Sequence, residues 1–452
     1  MMSNLPSGTV AAGRSDAWKW YVCVLLLSAT VVNYMDRLTV NNLAVEIKQE
    51  FHLSDEEYGT IELGFGLAFA AGSLMFGILV DRIGVYWIYP VALLGWSAMG
   101  FLTGLSHTYN ELLVLRIALG AFEGGHFPCG LKMVQLLFKP RDRAMGNSLL
   151  QSGTAIGAIL APQVIKALMH ESGDWRLPFL VIGAGGCVWI VFWLASVRPR
   201  DLRRSAHQPG NMPPALSQLE AARPAAAPAR SAEASFWELI CTRRFLALAI
   251  MVVFINLNWH LFRVWLPLFL RESRGYDRDA MLDVTTFYYV AADLGAMFAG
   301  ASSGWLARRG MGVFSSRMWV YGICASLSTV TTVAAMLPKG PWLMAALLVV
   351  AFGSLGCFSA YYSLTQDLSQ KHQGKISGLL ATFTWSVSGT FQRLFGRYLD
   401  ATGDYDVAFG IMGWLPMIAL IATLLLWRDA PASSERPQSR DPSPEPAAPR
   451  AG

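Results

Sequence analysis

The chain has 452 residues, of which 54% are hydrophobic and 15% charged, against about 25% charged in an ordinary soluble domain. The missing charge is concentrated in repeated apolar stretches of ~20 residues, the helix length that crosses ~30 Å of hydrocarbon, so a string of soluble domains is excluded. The net charge of +5 sits in the loops between those stretches, where basic residues set membrane topology rather than contact nucleic acid.

In lipid only helices and closed barrels satisfy their backbone, and these stretches are too long and too continuous for barrel strands. The expected fold class is all-α: a polytopic membrane protein of twelve transmembrane helices in two pseudo-symmetric six-helix halves. A tail, 1–17, leads into a first bundle, 18–198, with spans at 18–42, 58–80, 86–107, 110–136, 144–168 and 177–197. Residues 199–240 interrupt the pattern with a basic run followed by a Pro/Ala-rich stretch that cannot pack a core; they read as a flexible cytoplasmic linker. A second bundle, 241–428, carries spans at 245–270, 281–307, 316–336, 341–365, 376–400 and 406–427, and a Pro/Ser/Arg-rich tail, 429–452, reads as disordered.

Lysine and arginine orient the spans. With the N-terminus inside, the inner loops carry Arg82, then Lys139, Arg141 and Arg143, then Arg308, Arg309 and Arg317, then Lys371 and Lys375. The first outer loop is acidic, with Glu46, Glu50, Asp55, Glu56 and Glu57 against Lys48. The loop after span 7, with Arg271, Arg274 and Arg278, is the exception. Both termini are expected to be cytoplasmic. The first apolar run continues from Trp18 into polar residues without a small-residue cleavage site, so no cleavable signal peptide is read. The six cysteines show no CxxC pairing; they read as small buried side chains, not as a disulfide framework or metal site.

The halves echo each other. Segment 77–84 (GILVDRIG) follows span 2, and 304–310 (GWLARRG) follows span 8, the equivalent place. Here the chain resembles the major facilitator superfamily over roughly 18–428. The resemblance implies a gating motif at Gly77, Asp81, Arg82 and Gly84, whose Asp braces helix ends; the sequence departs from it at Val85 and Tyr86, where basic residues are usual. Three further places resemble the anion:cation symporter branch, and bacterial hexuronate and sugar-acid transporters within it: 33–37 (NYMDR), 116–123 (RIALGAFE) and 259–267 (WHLFRVWLP). That likeness implies import of an organic anion with protons, by alternating access, from the inner (plasma) membrane.

Ionisable groups inside a bilayer are costly and need a reason. Asp36 and Arg37 are adjacent in span 1, so they point ~100° apart and cannot satisfy each other on one helix face. Arg116 and Glu123 in span 4 are two turns apart and share a face, with Gly120 between them. Arginine presents a planar fork suited to a carboxylate, and a carboxyl group in a low-dielectric site favours its neutral form. Substrate on the arginine removes the charge that opposes protonation, which couples anion to proton. Arg37 is therefore the expected carboxylate anchor, Asp36 and Glu123 the proton carriers, and Arg116 the group that tunes Glu123. The competing reading is structural ion pairing between helices.

Phe69 stands where the branch commonly has a substrate-contacting Tyr, and Ser73 where it has Gln; Phe69 stacks on a sugar face without hydrogen-bonding it. Asn147, Gln151 and Thr154 form a polar stripe on span 5, suited to sugar hydroxyls or equally to interhelical hydrogen bonds. In span 7, Asn256, Asn258, His260 and Arg263 are polar. Arg263 reads as a second carboxylate anchor, as a partner for Asp293, or as a side chain snorkelling to the interface. Trp385, Ser388 and Gln392 share a face of span 11, beside Arg393, and are expected substrate contacts, with the Trp and Gln suited to a sugar ring. Other expectations are a different solute exported or exchanged, or a membrane-embedded sensor or enzyme. An enzyme finds only His126 near Glu123 as a candidate, and the sequence holds no zinc-protease helix or phosphate loop. No cofactor is expected beyond a proton gradient, and the partners are a small organic anion, protons and lipid around a monomer, with no nucleic acid.

Overall fold

The computed structural model describes residues 16–138, 143–206, 236–368 and 373–427. Lys139, Arg141, Lys371, most of the expected linker and the C-terminal tail lie outside them. Among the described residues ten helices are long and apolar enough to cross a membrane. Two more of equal length, Arg278–Arg308 and Gln373–Thr402, are more polar and pack within the same bundle, the first against spans 5 and 10, the second against span 2. These supply spans 8 and 11.

The remaining spans are Asp16–Asn42 (1), Asp55–Ile83 (2), Val85–Thr103 (3), Tyr109–Leu137 (4), Arg143–Ser172 (5), Arg176–Ser196 (6), Arg243–Ser273 (7), Val313–Met336 (9), Pro341–Leu368 (10) and Tyr405–Leu426 (12). Helices Pro199–Ala206 and Phe236–Ile240 occupy the two ends of the expected linker.

Local chemistry explains the ends and breaks. Span 2 opens on a capping box: Ser54 Oγ accepts from the Glu57 N–H, and the Glu57 carboxylate accepts from the Ser54 N–H. The expected first loop, between spans 1 and 2, folds in part into a short helix, Ala44–Phe51. Span 4 breaks at Gly124–Gly125, directly after Glu123. A Cβ on Gly124 would lie 2.5 Å from the carbonyl oxygen of Phe69, so spans 2 and 4 meet there backbone to backbone. Gly153 and Gly157 press span 5 onto span 1 in the same way, with added Cβ atoms 2.6 Å from Leu27 O and 2.7 Å from Val31 O. This supports close helix approach as the role of those glycines.

Among the described residues the apolar core has three parts. One belongs to the first half and includes Trp96, Trp189 and Trp193. A second belongs to the other half, around Met251, Tyr321 and Cys357. The third joins both halves at the far end, where spans 1 and 2 connect, from Leu38, Ile47 and Tyr58 to Trp265, Phe269 and Phe409. That far end is also tied by polar contacts between the halves. Arg271 reaches Glu46 at 2.7 Å and Lys48 reaches Glu272 at 3.1 Å. Lys166 contacts Asp283 at 2.7 Å, and Arg393 contacts Glu56 at 3.0 Å. The Asp400 carboxylate of span 11 accepts from the Asp55 and Glu56 N–H groups, at 2.7 and 2.8 Å, capping span 2 from the other half. The basic loop after span 7 thus has a structural cause: Arg271 joins the halves, while Arg274 pairs with Asp406 at 2.6 Å and donates to the Leu337 carbonyl at 2.9 Å.

Cys23, Cys129, Cys324 and Cys357 are buried, whereas Cys187 and Cys241 are exposed, contrary to the expectation for all six.

Candidate functional site

Among the described residues, the buried charged side chains within the spans are three arginines, Arg37, Arg116 and Arg263, and three carboxylates, Asp36, Glu62 and Glu123. Burial of unpaired charge is strongly unfavourable, so the pairing among them organises the site.

Arg37, on span 1, pairs with Glu123 at the break in span 4. Its Nε and Nη2 both donate to Glu123 Oε2, at 3.0 and 2.8 Å. The other carboxylate oxygen, Oε1, is buried with no hydrogen-bond partner. An aromatic box surrounds the guanidinium: Phe69 lies 4.7 Å from it, Tyr34 5.3 Å, and Phe65 and Trp385 5.5 Å each. Such rings stabilise a desolvated cation. Trp385 comes from the second half and packs on Phe69 at 4.7 Å and on His260 at 4.8 Å. Arg37, Phe69, Glu123, Trp385 and His260 therefore meet where the two halves face each other.

Asp36 points elsewhere. Its carboxylate lies against span 3, 2.9 Å from where a Cβ on Gly100 would stand, and its Oδ2 has no hydrogen-bond partner. Asp36 and Arg37 face apart, as their adjacency requires.

Arg116 does not contact Glu123 as the shared helix face suggested. Its ionic neighbour is Glu62 of span 2, at 3.9 Å, and its guanidinium rests 5.0 Å from the Phe65 ring. Arg263 neither snorkels nor pairs with Asp293. It is 4% exposed and bonds across the halves to Glu62 Oε2 at 2.7 Å and Asn41 Oδ1 at 3.3 Å. Asn41 donates in turn to Glu62 Oε1 and to Tyr58 Oη, both at 3.0 Å. The sequence reading missed Glu62. The signal was available, since a carboxylate inside an apolar span needs a partner.

The other expected contacts divide. Gln392 is buried, and its Oε1 accepts from Trp265 Nε1 at 2.6 Å, while its Nε2 lacks a partner. Ser388 Oγ and Asn147 Oδ1 are also buried without partners. Gln151 is exposed, and Thr154 donates to the Gln151 carbonyl of its own helix at 2.8 Å, so it makes no interhelical bond there. Asn256 donates to its own helix at Val252, and Asn258 to Ser354 Oγ at 2.8 Å. His126 sits in the first-half core. One ring nitrogen contacts Thr30 Oγ1 at 2.9 Å and the other Tyr89 Oη at 3.1 Å, which leaves it no free nitrogen for catalysis.

At the opposite end of span 2, Asp81 Oδ1 accepts from Lys132 Nζ of span 4 at 2.7 Å, bracing two helices of one half. Arg82 is exposed, and Gly77 has open space around it. Gly84 has φ +101° and its echo in the second half, Gly310, has φ +95°, a region glycine adopts without strain.

The sequence profile of the Major Facilitator Superfamily matches residues 26–392. The chain belongs to that superfamily. It is a multi-pass membrane transporter and not an enzyme. The narrower likeness agrees with its relatives. The chain is 24% identical to a hexuronate transporter of Escherichia coli (strain K12), over 94% of this chain and 98% of that one. It is 25% identical to a hexuronate transporter of Bacillus subtilis (strain 168), over 92% and 98%. It is 24% identical to a D-galactonate transporter of Escherichia coli O6:H1, over 94% and 99%. Among solved structures, a bacterial homologue of the human lysosomal transporter Spinster, in an inward-facing and occupied conformation, superposes with a TM-score of 0.72. The two are 16% identical, over 91% of this chain and 97% of that one. The two share the fold.

Proposed function

We propose that this transporter imports a sugar acid, a hexuronate or a related monocarboxylate, together with protons. The observation that carries the reading is the buried Arg37–Glu123 pair inside the box of Phe69, Tyr34 and Trp385. The names of the relatives favour the same substrate class.

The substrate carboxylate takes the Arg37 fork by displacing Glu123 Oε2. Glu123, deprived of its cation in a dry site, accepts a proton, so one negative charge enters with one positive charge and the buried balance is kept. Phe69 and Trp385 offer faces for the sugar ring, and Asn147, Gln151, Thr154, His260 and Ser388 offer polar groups for its hydroxyls. Arg263 is committed to Glu62 and acts on substrate only indirectly. Asp36, against span 3, is a second carboxyl for a proton, one that is not taken up in the binding step at Arg37. Bundles 18–198 and 241–428 rock about this site, with Gly77, Asp81, Arg82 and Gly84 at the hinge end of span 2. The chain lies in the inner (plasma) membrane as a monomer, with both termini and the 199–240 linker in the cytoplasm.

The test is uptake of a labelled hexuronate into proteoliposomes with and without an inward proton gradient. Charge-assisted bonds contribute about 1.5–3 kcal/mol each, so losing two in Arg37→Ala lowers uptake by about 100-fold or more. Arg37→Lys keeps the charge without the fork and recovers little of it. Gradient-driven accumulation that survives Arg37→Ala overturns the carboxylate anchor.

A further inference from the structure

The charge arithmetic of the site singles out a residue that the transport cycle above does not use. With every group ionised, Arg37, Arg116 and Arg263 balance Asp36, Glu62 and Glu123. A singly charged substrate adds one negative charge, and one proton on Glu123 restores the balance. A doubly charged substrate needs a second proton or a second cation.

A second cationic centre exists and is occupied. Arg263 Nη2 lies 2.7 Å from Glu62 Oε2, and Arg116 Nη2 lies 3.9 Å from Glu62 Oε1, so one carboxylate of the protein itself sits between two arginines. All three side chains are nine-tenths or more buried. The centre is short of acceptors: Arg116 Nε and Nη2 and Arg263 Nε are buried without hydrogen-bond partners. It is also close to the first centre. Arg37 and Arg116 stand on the same ring, Phe65, at 5.5 and 5.0 Å from its centroid. A six-carbon chain with an acid at each end reaches from one to the other.

On the sugar-acid reading given above, on which this rests, we propose that Glu62 restricts the transporter to singly charged acids by serving as an internal carboxylate at the Arg263–Arg116 centre. A substrate with two carboxylates presents its second acid to a place already holding one. Like charges at that separation in a dry site are strongly unfavourable, and displacing Glu62 breaks its bonds to Arg263 and Asn41 as well. Negative selection of this kind, through a repulsive group, is how a site discriminates between near-identical ligands.

The experiment compares a hexuronate, with one carboxylate, and galactarate, with two, in proteoliposomes of the full chain. The ratio of diacid to monoacid uptake is the readout, because a purely structural role for Glu62 lowers both together. Wild type favours the monoacid. Glu62→Gln frees two arginines, keeps a side chain that hydrogen-bonds Asn41, and moves the ratio toward the diacid by about tenfold or more, a difference of about 1.4 kcal/mol. Glu62→Asp keeps the wild-type ratio. Glu62→Gln/Arg263→Gln removes the nearer of the two freed cations and loses part of the gain.

Where Glu62→Gln arrests transport, the same ratio is read in detergent from the concentrations of the two acids that protect the folded protein against heat. An unchanged ratio in Glu62→Gln by either readout overturns the proposal, as does a wild type that takes both acids equally. A wild type that binds neither acid is a different result: it removes the sugar-acid reading and this inference with it.

Discussion

Glu123→Gln tests the exchange at Arg37 most directly. In the unloaded site Arg37 donates two bonds to one oxygen of Glu123, at 3.0 and 2.8 Å. A substrate carboxylate that takes those donors leaves Glu123 buried and charged, and the relief is one proton. Binding therefore takes up one proton over the range in which Glu123 is ionised in the free protein and the sugar acid is an anion. Linkage then fixes the slope: Kd rises tenfold, about 1.4 kcal/mol, for each unit of pH. Glutamine removes both the proton and most of the competition. A neutral acceptor bonds an arginine about half as strongly as a carboxylate does, so the competition falls by about 1.5–3 kcal/mol. Glu123→Gln is expected to bind the acid about 10- to 150-fold more tightly than wild type at the alkaline end, with a Kd independent of pH, and to exchange substrate without accumulating it under a proton gradient. The assay is calorimetric titration in detergent across about pH 6 to 9, paired with gradient-driven uptake. A flat Kd in the wild type, or the wild-type slope persisting in Glu123→Gln, refutes the argument. The second result moves the proton to Asp36.

Two further predictions concern the scaffold. Asp400→Ala removes the carboxylate that caps Asp55 and Glu56 from the opposite half, and loss of a cap costs about 0.5–2 kcal/mol. The far-end-open population should rise about 2- to 30-fold, read as faster thiol labelling of a cysteine at buried Ser388 in a background lacking Cys187 and Cys241; an unchanged rate denies the cap this role. Gly72→Ala places a Cβ 2.0 Å from the Ala121 carbonyl oxygen, whereas Gly77→Ala meets nothing within 4 Å. The first should lower the melting temperature through about 1–3 kcal/mol of overpacking, and the second should leave it unchanged or higher; equal shifts would mean that spans 2 and 4 are not in backbone contact.

The spans were legible because hydrocarbon thickness fixes their length, and even the polar spans 8 and 11 stood out between turn-rich loops. The breaks were not. Gly124–Gly125 reads in sequence as two small residues in a helix, and only the neighbouring backbone of Phe69 and Ser73 shows why the helix gives way there. Residue type marked Arg37, Glu123 and Arg263 as needing partners, but not which partners. Arg263 and Glu62 are 201 residues apart, and nothing local distinguishes that pairing from one with Asp293. Glu62 itself went unread because it follows the acidic run Asp55, Glu56 and Glu57, which belongs to the first turn of the same helix. The basic loop after span 7 broke the topology rule for a related reason. Arg271 and Arg274 answer to acids elsewhere in the fold, a demand that local charge patterning does not record.

The closed far end and the substrate site meet at one turn of helix. Asn41 lies one turn beyond Arg37 on span 1, with both side chains buried. It accepts from Arg263 of the second half and donates to Glu62 and Tyr58 of the first. A rigid helix cannot move Arg37 toward an arriving carboxylate without carrying Asn41 with it, and Asn41 has little slack among three hydrogen-bonded partners. Coupling between ligand and gate requires a contact that differs between the two states. The Asn41–Glu62–Arg263 cluster is such a contact, because it joins the halves in the far-end-closed form and has to part when that end opens. Trp385 provides the reverse link, since it belongs to the second half yet forms one wall of the Arg37 box. A substrate seated between Phe69 and Trp385 holds the halves together at the site while Asn41 relays its arrival to the gate. On the proposed reading, the same few side chains bind the anion and join the two halves.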